Sequence, residues 1–193
     1  MMSLFRKSDI EQVVIKKSLY ETANTILQKE AAEFSYTKAY DIFLSHSFSD
    51  ADRILKIKRI IEEMGYRTYV DWIDDKQLDR SKVSKETAVV LKSRMKNCNS
   101  LFFVTSDNSS SSKWMPWELG YFDGSKGLVA ILPIREDDAV TSVYNGQEYL
   151  GLYPYVAKAK PEGGTSEVLW IHTNYNEYIR FDSWLKGTMP YKR

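Results

Sequence analysis

One cysteine, Cys98, stands in 193 residues, so no internal disulfide can form and a reducing compartment is expected. With only two histidines, far from each other and from that thiol, the chain lacks the ligand set of a zinc site. Long apolar runs are missing too. The longest, Leu128 to Ile134, falls far short of the ~20 residues that a helix crossing a bilayer needs. The opening Met1-Met2-Ser3-Leu4-Phe5-Arg6-Lys7 has no apolar stretch of the secretory kind. Net charge is nearly absent: 27 Lys and Arg against 26 Asp and Glu leave +1, which is no footprint for nucleic acid or an anionic membrane. Neither a glycine-rich phosphate loop nor an internal repeat occurs. What is present is a globular balance, 43% hydrophobic and 27% charged, enough to build a core. The expectation is a soluble cytoplasmic protein without cofactor or metal.

Residues 1–38 read as a helix and a polar linker. Ser8 and Glu11 have the spacing of a capping box, and Ile15, Leu19, Ala23, Ile26 and Leu27 share a helical face. From residue 39 to 135 short apolar runs alternate with helical periods. Strands are expected at Asp41–Ser45, Arg67–Trp72, Leu101–Val104 and Leu128–Ile131. Between them, Ile54, Ile57, Ile61 and Met64 mark a helix ending at Gly65, and Val83, Thr87 and Leu91 mark another. Such alternation implies right-handed crossovers and a parallel sheet covered on both faces. Residues 136–193 are less regular. Strands are expected near Tyr153–Val156 and Val168–Ile171, and a last helix with Tyr178, Phe181 and Leu185 on one face.

In an open sheet of this kind ligands bind beyond the carboxyl ends of the strands. Those ends carry Ser45-His46-Ser47-Phe48, Asp71-Trp72 and Thr105-Ser106-Asp107, and a serine run then leads to Trp114-Met115-Pro116-Trp117-Glu118. Trp114 and Glu118, four residues apart, share a face of the helix that opens there. An indole beside a carboxylate suits a planar, partly cationic group. The plain alternative is packing by the indole and a solvated charge. Cys98, at the end of a predicted helix, reads as a buried packing residue.

The segments Tyr40-Asp41-Ile42-Phe43-Leu44-Ser45-His46-Ser47 and Ser112-Lys113-Trp114-Met115-Pro116-Trp117-Glu118-Leu119 resemble two motifs of the Toll/interleukin-1 receptor (TIR) domain family. Asp71 matches the aspartate closing the family's second strand, and Leu78-Asp79-Arg80-Ser81 lies where its BB loop runs. The likeness covers about residues 40–135. It extends to standalone bacterial TIR proteins, including those of Thoeris-type antiphage defence. Met115 stands where many members have cysteine, and Ser81 where the loop usually has glycine.

The resemblance implies a flavodoxin-like α/β fold of about five parallel strands, with an N-terminal helix and a C-terminal elaboration. It further implies cleavage of the nicotinamide–ribose bond of NAD, a substrate here and not a cofactor. Glu118 would be catalytic. Ser45, His46, Ser47, Phe48, Asp71 and Trp114 would bind substrate. Self-association through residues 73–82 would complete the site, and a nucleotide product would act on a downstream effector. The competing expectation is a scaffold without catalysis that works by self-association alone.

Overall fold

The computed structural model describes residues 2–14, 39–71, 84–106, 109–135, 144, 146 and 148–192. Its strands are β1 (Phe5–Arg6), β2 (Tyr40–Ser45), β3 (Thr68–Tyr69), β4 (Cys98–Thr105), β5 (Val129–Arg135), β6 (Tyr155–Ala159), β7 (Val168–Asn174), β8 (Glu177–Arg180) and β9 (Tyr191–Lys192). The helices are α1 (Lys7–Glu11), α2 (Ala51–Glu63), α3 (Lys85–Lys96), α4 (Trp114–Lys126) and α5 (Phe181–Trp184). All nine strands join one sheet in the order β3-β2-β4-β5-β6-β7-β8-β9, with β1 paired to β5. From β3 to β6 every pairing is parallel, and from β6 onward every pairing is antiparallel. The parallel part has the flavodoxin-like order expected from the alternation of strands and helices.

The apolar strands are read on both faces. Ile42, Leu44, Phe102, Val104, Ala130 and Leu132 enter one core with the α2 residues Ile54, Ile57 and Ile61. Their neighbours Phe43, Leu101, Phe103, Val129 and Ile131 enter the other, with Leu91 of α3 and Leu119 of α4. Side chains alternate across a strand, so one apolar run feeds two cores and three layers result. Helix α2 ends at Gly65, whose φ of +94° favours a residue without Cβ.

Three sequence expectations are corrected. The capping box fails because Arg6 is the N-cap of α1 and Ser8 sits inside the helix. The reason lies one step earlier: Phe5 and Arg6 pair with Ile134 and Arg135, so the helix starts where the strand stops. Ser3 and Lys158 exchange two backbone hydrogen bonds of 2.9 and 2.8 Å, and the fully buried Phe5 and Ile10 belong to the core. Ile15 to Leu27 lie outside the described residues. Second, the expected last helix over Tyr178–Leu185 shrinks to the four residues of α5, because Tyr178 is taken into the β7–β8 hairpin. Cross-strand ring contacts of Tyr178 with Trp170 and His172 favour the extended form. Third, Cys98 begins β4 rather than ending a helix, although it is fully buried as expected.

His172 lies between the rings of Tyr155 and Tyr178, at centroid distances of 5.3 and 5.0 Å. Burial pushes its pKa down to about 4, opposed by the bond between Nδ1 and the Asn174 carbonyl. The native imidazole therefore stays neutral where an unfolded one, titrating near 6.5, takes up a proton. Stability should be full above pH 6.5 and fall toward pH 4, by at most about 1.4 kcal/mol per pH unit. Urea titrations across that range should show the slope in the native chain and lose it in His172→Phe.

Candidate active site

Strand β2 and helix α4 bring the first pair together. Ser45 Oγ, at the carboxyl end of β2, donates a 2.6 Å hydrogen bond to Glu118 Oε2, one turn into α4. Both residues have no exposure at all. A solvated surface charge is therefore excluded for Glu118. A buried carboxyl group keeps its place only when the protein supplies its partners, and the 2.6 Å serine bond is one of them.

The residues after Ser45 form the next wall. His46 Nδ1 lies 2.7 Å from the Leu44 carbonyl and must carry the proton there, since a carbonyl only accepts. Its Nε2 is 3.8 Å from Asp71 Oδ1, and both side chains are 1% exposed. Ser47 is buried, and its carbonyl accepts from the Asp50 backbone amide at 3.0 Å. Phe48 opens a single 3₁₀ turn leading into α2. Asp50 in turn accepts a short hydrogen bond from Ser106 Oγ, tying this wall to the end of β4.

Trp114 is placed differently from the other candidates. Its ring is 5% exposed within the core and meets Trp117 edge-on at 5.4 Å. In this conformation Trp114 is packed as the plain alternative has it. Residues 73–82, the expected self-association loop, lie outside the described residues.

A cleft of about 620 Å³ opens beside this pair, at the carboxyl end of β4. Thr105, Ser106, Ser109, Tyr144, Glu148 and Tyr149 are among the residues that line it. Pro116 and Phe103 also line it, and they connect it to the buried pair. Phe103 is the register partner of Ser45, and Pro116 precedes Glu118 by two residues on α4. The sequence reading missed Tyr144, Glu148 and Tyr149, because they belong to the irregular stretch after Arg135. The one signal there was the glycine pair Gly146 and Gly151 bracketing a short aromatic segment.

The family model described as "TIR domain" matches residues 42–160, more than half of the chain. The chain belongs to the TIR domain family. A Bacillus cereus (strain MSX-D12) relative of this TIR protein, named "Probable 3' cyclic ADP-D-ribose synthase ThsB'", is 54% identical over 192 residues. That alignment covers 96% of this chain and 99% of the relative. A Cytobacillus dafuensis protein named "Putative cyclic ADP-D-ribose synthase TIR2" is 41% identical over 85 residues, or 44% of this chain and 22% of that one. The TIR match spans β2 to the end of β6 and leaves β1 and the β7–β9 extension outside it. Among the described residues no helix is long and apolar enough to cross a membrane.

The Ser45–Glu118 contact has a measurable energy. Unfolding free energies of Ser45→Ala, Glu118→Ala and the double variant should give a coupling of about 1.5–3 kcal/mol, the range for hydrogen bonds to charged groups. Strictly additive single effects would mean that the two side chains are neighbours without consequence.

Proposed function

We propose that this TIR protein is an enzyme that breaks the nicotinamide–ribose bond of NAD and closes the remaining ADP-ribose into a cyclic product. One observation carries the reading: a carboxylate, Glu118, held without solvent by Ser45 at the carboxyl edge of a parallel sheet. The full-length relative named as a cyclic ADP-D-ribose synthase supports the same reaction class.

The chemistry follows from the charge. As the C1′–N bond lengthens, its electron pair leaves with neutral nicotinamide and positive charge develops on the ribose carbon and ring oxygen. Glu118 supplies a fixed negative charge beside that centre and accepts from the ribose hydroxyls. Because Ser45 has already oriented it, little reorganisation is left for the transition state. A hydroxyl of the distal ribose then attacks C1′ and loses its proton, so the product weighs one water less than ADP-ribose. Water as the attacking group would give ADP-ribose itself, and exclusion of solvent favours ring closure.

His46, Ser47, Phe48 and Asp71 form the wall against the nicotinamide ribose in this reading, and Trp114 offers a ring once it is uncovered. The pair is sealed in the isolated chain, so the wall must open when substrate arrives. Self-association through residues 73–82 is the proposed means, and the cyclic nucleotide is proposed to carry the signal to a separate effector in antiphage defence.

Purified protein incubated with NAD should release nicotinamide, with a product at the mass of ADP-ribose less one water. Specific activity should rise with protein concentration across a dilution series. Glu118→Gln, which keeps shape and the serine bond, should lower turnover by about 100-fold or more while unfolding like the native chain. A folded Glu118→Gln protein with native turnover would remove the carboxylate from the mechanism, and absence of nicotinamide release under all conditions would leave the scaffold reading.

A further inference from the structure

The cleft beside the buried pair has a chemistry of its own. Its volume, about 620 Å³, lies within the usual range for small-molecule sites. Thr105, Ser106, Ser109, Tyr144, Glu148 and Tyr149 are among the residues that line it, and the Ser106 and Ser109 hydroxyls, which already donate to Asp50 and to the Ser106 carbonyl, keep lone pairs for a ligand. Among the described lining residues there is no lysine or arginine, so no side-chain cation there pairs with a phosphate. A neutral ligand with a flat ring and a sugar fits better. Aromatic side chains stack on a base, and a carboxylate with neighbouring hydroxyls accepts from and donates to a ribose diol.

The wall that carries Glu148 is built under strain. Glu148, with φ of +50°, is the one non-glycine residue at positive φ among the described residues. Such a conformation is held by its surroundings and occurs preferentially at ligand sites. Here the surroundings are visible. A Cβ added to Gly146 would stand 2.5 Å from the Gly151 backbone nitrogen, so the close approach of residues 146 and 151 requires glycine at 146. Tyr153 Oη donates a 2.9 Å hydrogen bond to Asp123 of α4, and Tyr144 packs on Tyr155 at 6.1 Å. Ser106, also in the lining, is fixed by its bond to Asp50.

We infer that this cleft is a nucleoside subsite which, on the reading proposed above, takes the adenosine half of NAD while Glu118 serves the nicotinamide ribose. Register supports the division, since Phe103 of the cleft is paired with Ser45 of the buried pair. Adjacent strands lie ~4.8 Å apart, so the two compartments share one sheet edge. Ring closure needs the distal ribose brought back against C1′, and two neighbouring compartments impose that folded shape before the bond breaks. Glu148 and Tyr149 are then specificity-determining residues. They touch the half of the substrate whose bonds at C1′ do not break.

Calorimetric titration with adenosine tests the subsite without any turnover. Tyr149→Ala and Glu148→Gln should each weaken adenosine binding about tenfold, and Glu148→Gln should also erase the preference for adenosine over adenine. Both side chains are exposed, so neither change threatens the fold. Glu148→Gly should raise the thermal midpoint by releasing the strain while still losing adenosine affinity. Nicotinamide release should show a raised KM for NAD in these variants, with cleavage of nicotinamide mononucleotide unchanged. Adenosine affinity equal in the native chain and all three variants would overturn the subsite. A native chain that binds adenosine through these residues yet never cleaves NAD would overturn the enzymatic reading and leave the subsite standing.

Discussion

A carboxylate with no solvent must be given its hydrogen bonds by the protein, and the placement of Glu118 depends on that constraint. Its partner, Ser45, is the last residue of β2, so the contact exists only if β2 and β4 keep their parallel register. Helix α4 must also return over the sheet at the right height, which Leu119 and Phe122 secure in the core beneath it. The same register sets Phe103 beside Ser45 and thereby places the cleft next to the pair. Fold and candidate chemistry are thus one set of contacts.

The parts outside the TIR match are bound into the same sheet. Strand β1 lies against β5, and Lys158 of β6 holds Asp9 at 3.0 Å and Glu167 at 3.3 Å while its backbone pairs with Ser3. Beyond β6 the antiparallel strands continue the sheet and bury Leu169, Ile171 and Ile179 in the core shared with α2. Phe181 joins them there, with its ring 4.9 Å from Tyr66 and 5.2 Å from Phe102.

What the sequence revealed depended on periodicity. The runs Ile42-Phe43-Leu44 and Leu101–Val104 are apolar at every position and could be read as buried strands. The four-residue spacing of Trp114 and Glu118 put both on one helical face. The Trp114 indole is packed in this conformation, and spacing alone cannot distinguish a ring that faces a ligand from one that packs. The N-terminal strand was illegible, since two residues carry no period. Tyr178 misled because Tyr178, Phe181 and Leu185 also fit a helix, and only the partner strand β7 decides between the two. The cleft wall was hidden for a related reason: Tyr144, Glu148 and Tyr149 are assembled by backbone strain and a glycine contact, which leave no periodic trace.

The central claim is that Glu118 meets the nicotinamide ribose once the sealed wall opens. A crystal structure with a carbocyclic, uncleavable analogue of NAD tests it most directly. The account predicts a hydroxyl of the nicotinamide-side ring within ~3 Å of a Glu118 carboxylate oxygen, a normal hydrogen-bond distance. An analogue bound in full occupancy with Glu118 still enclosed and bonded to protein alone would contradict it.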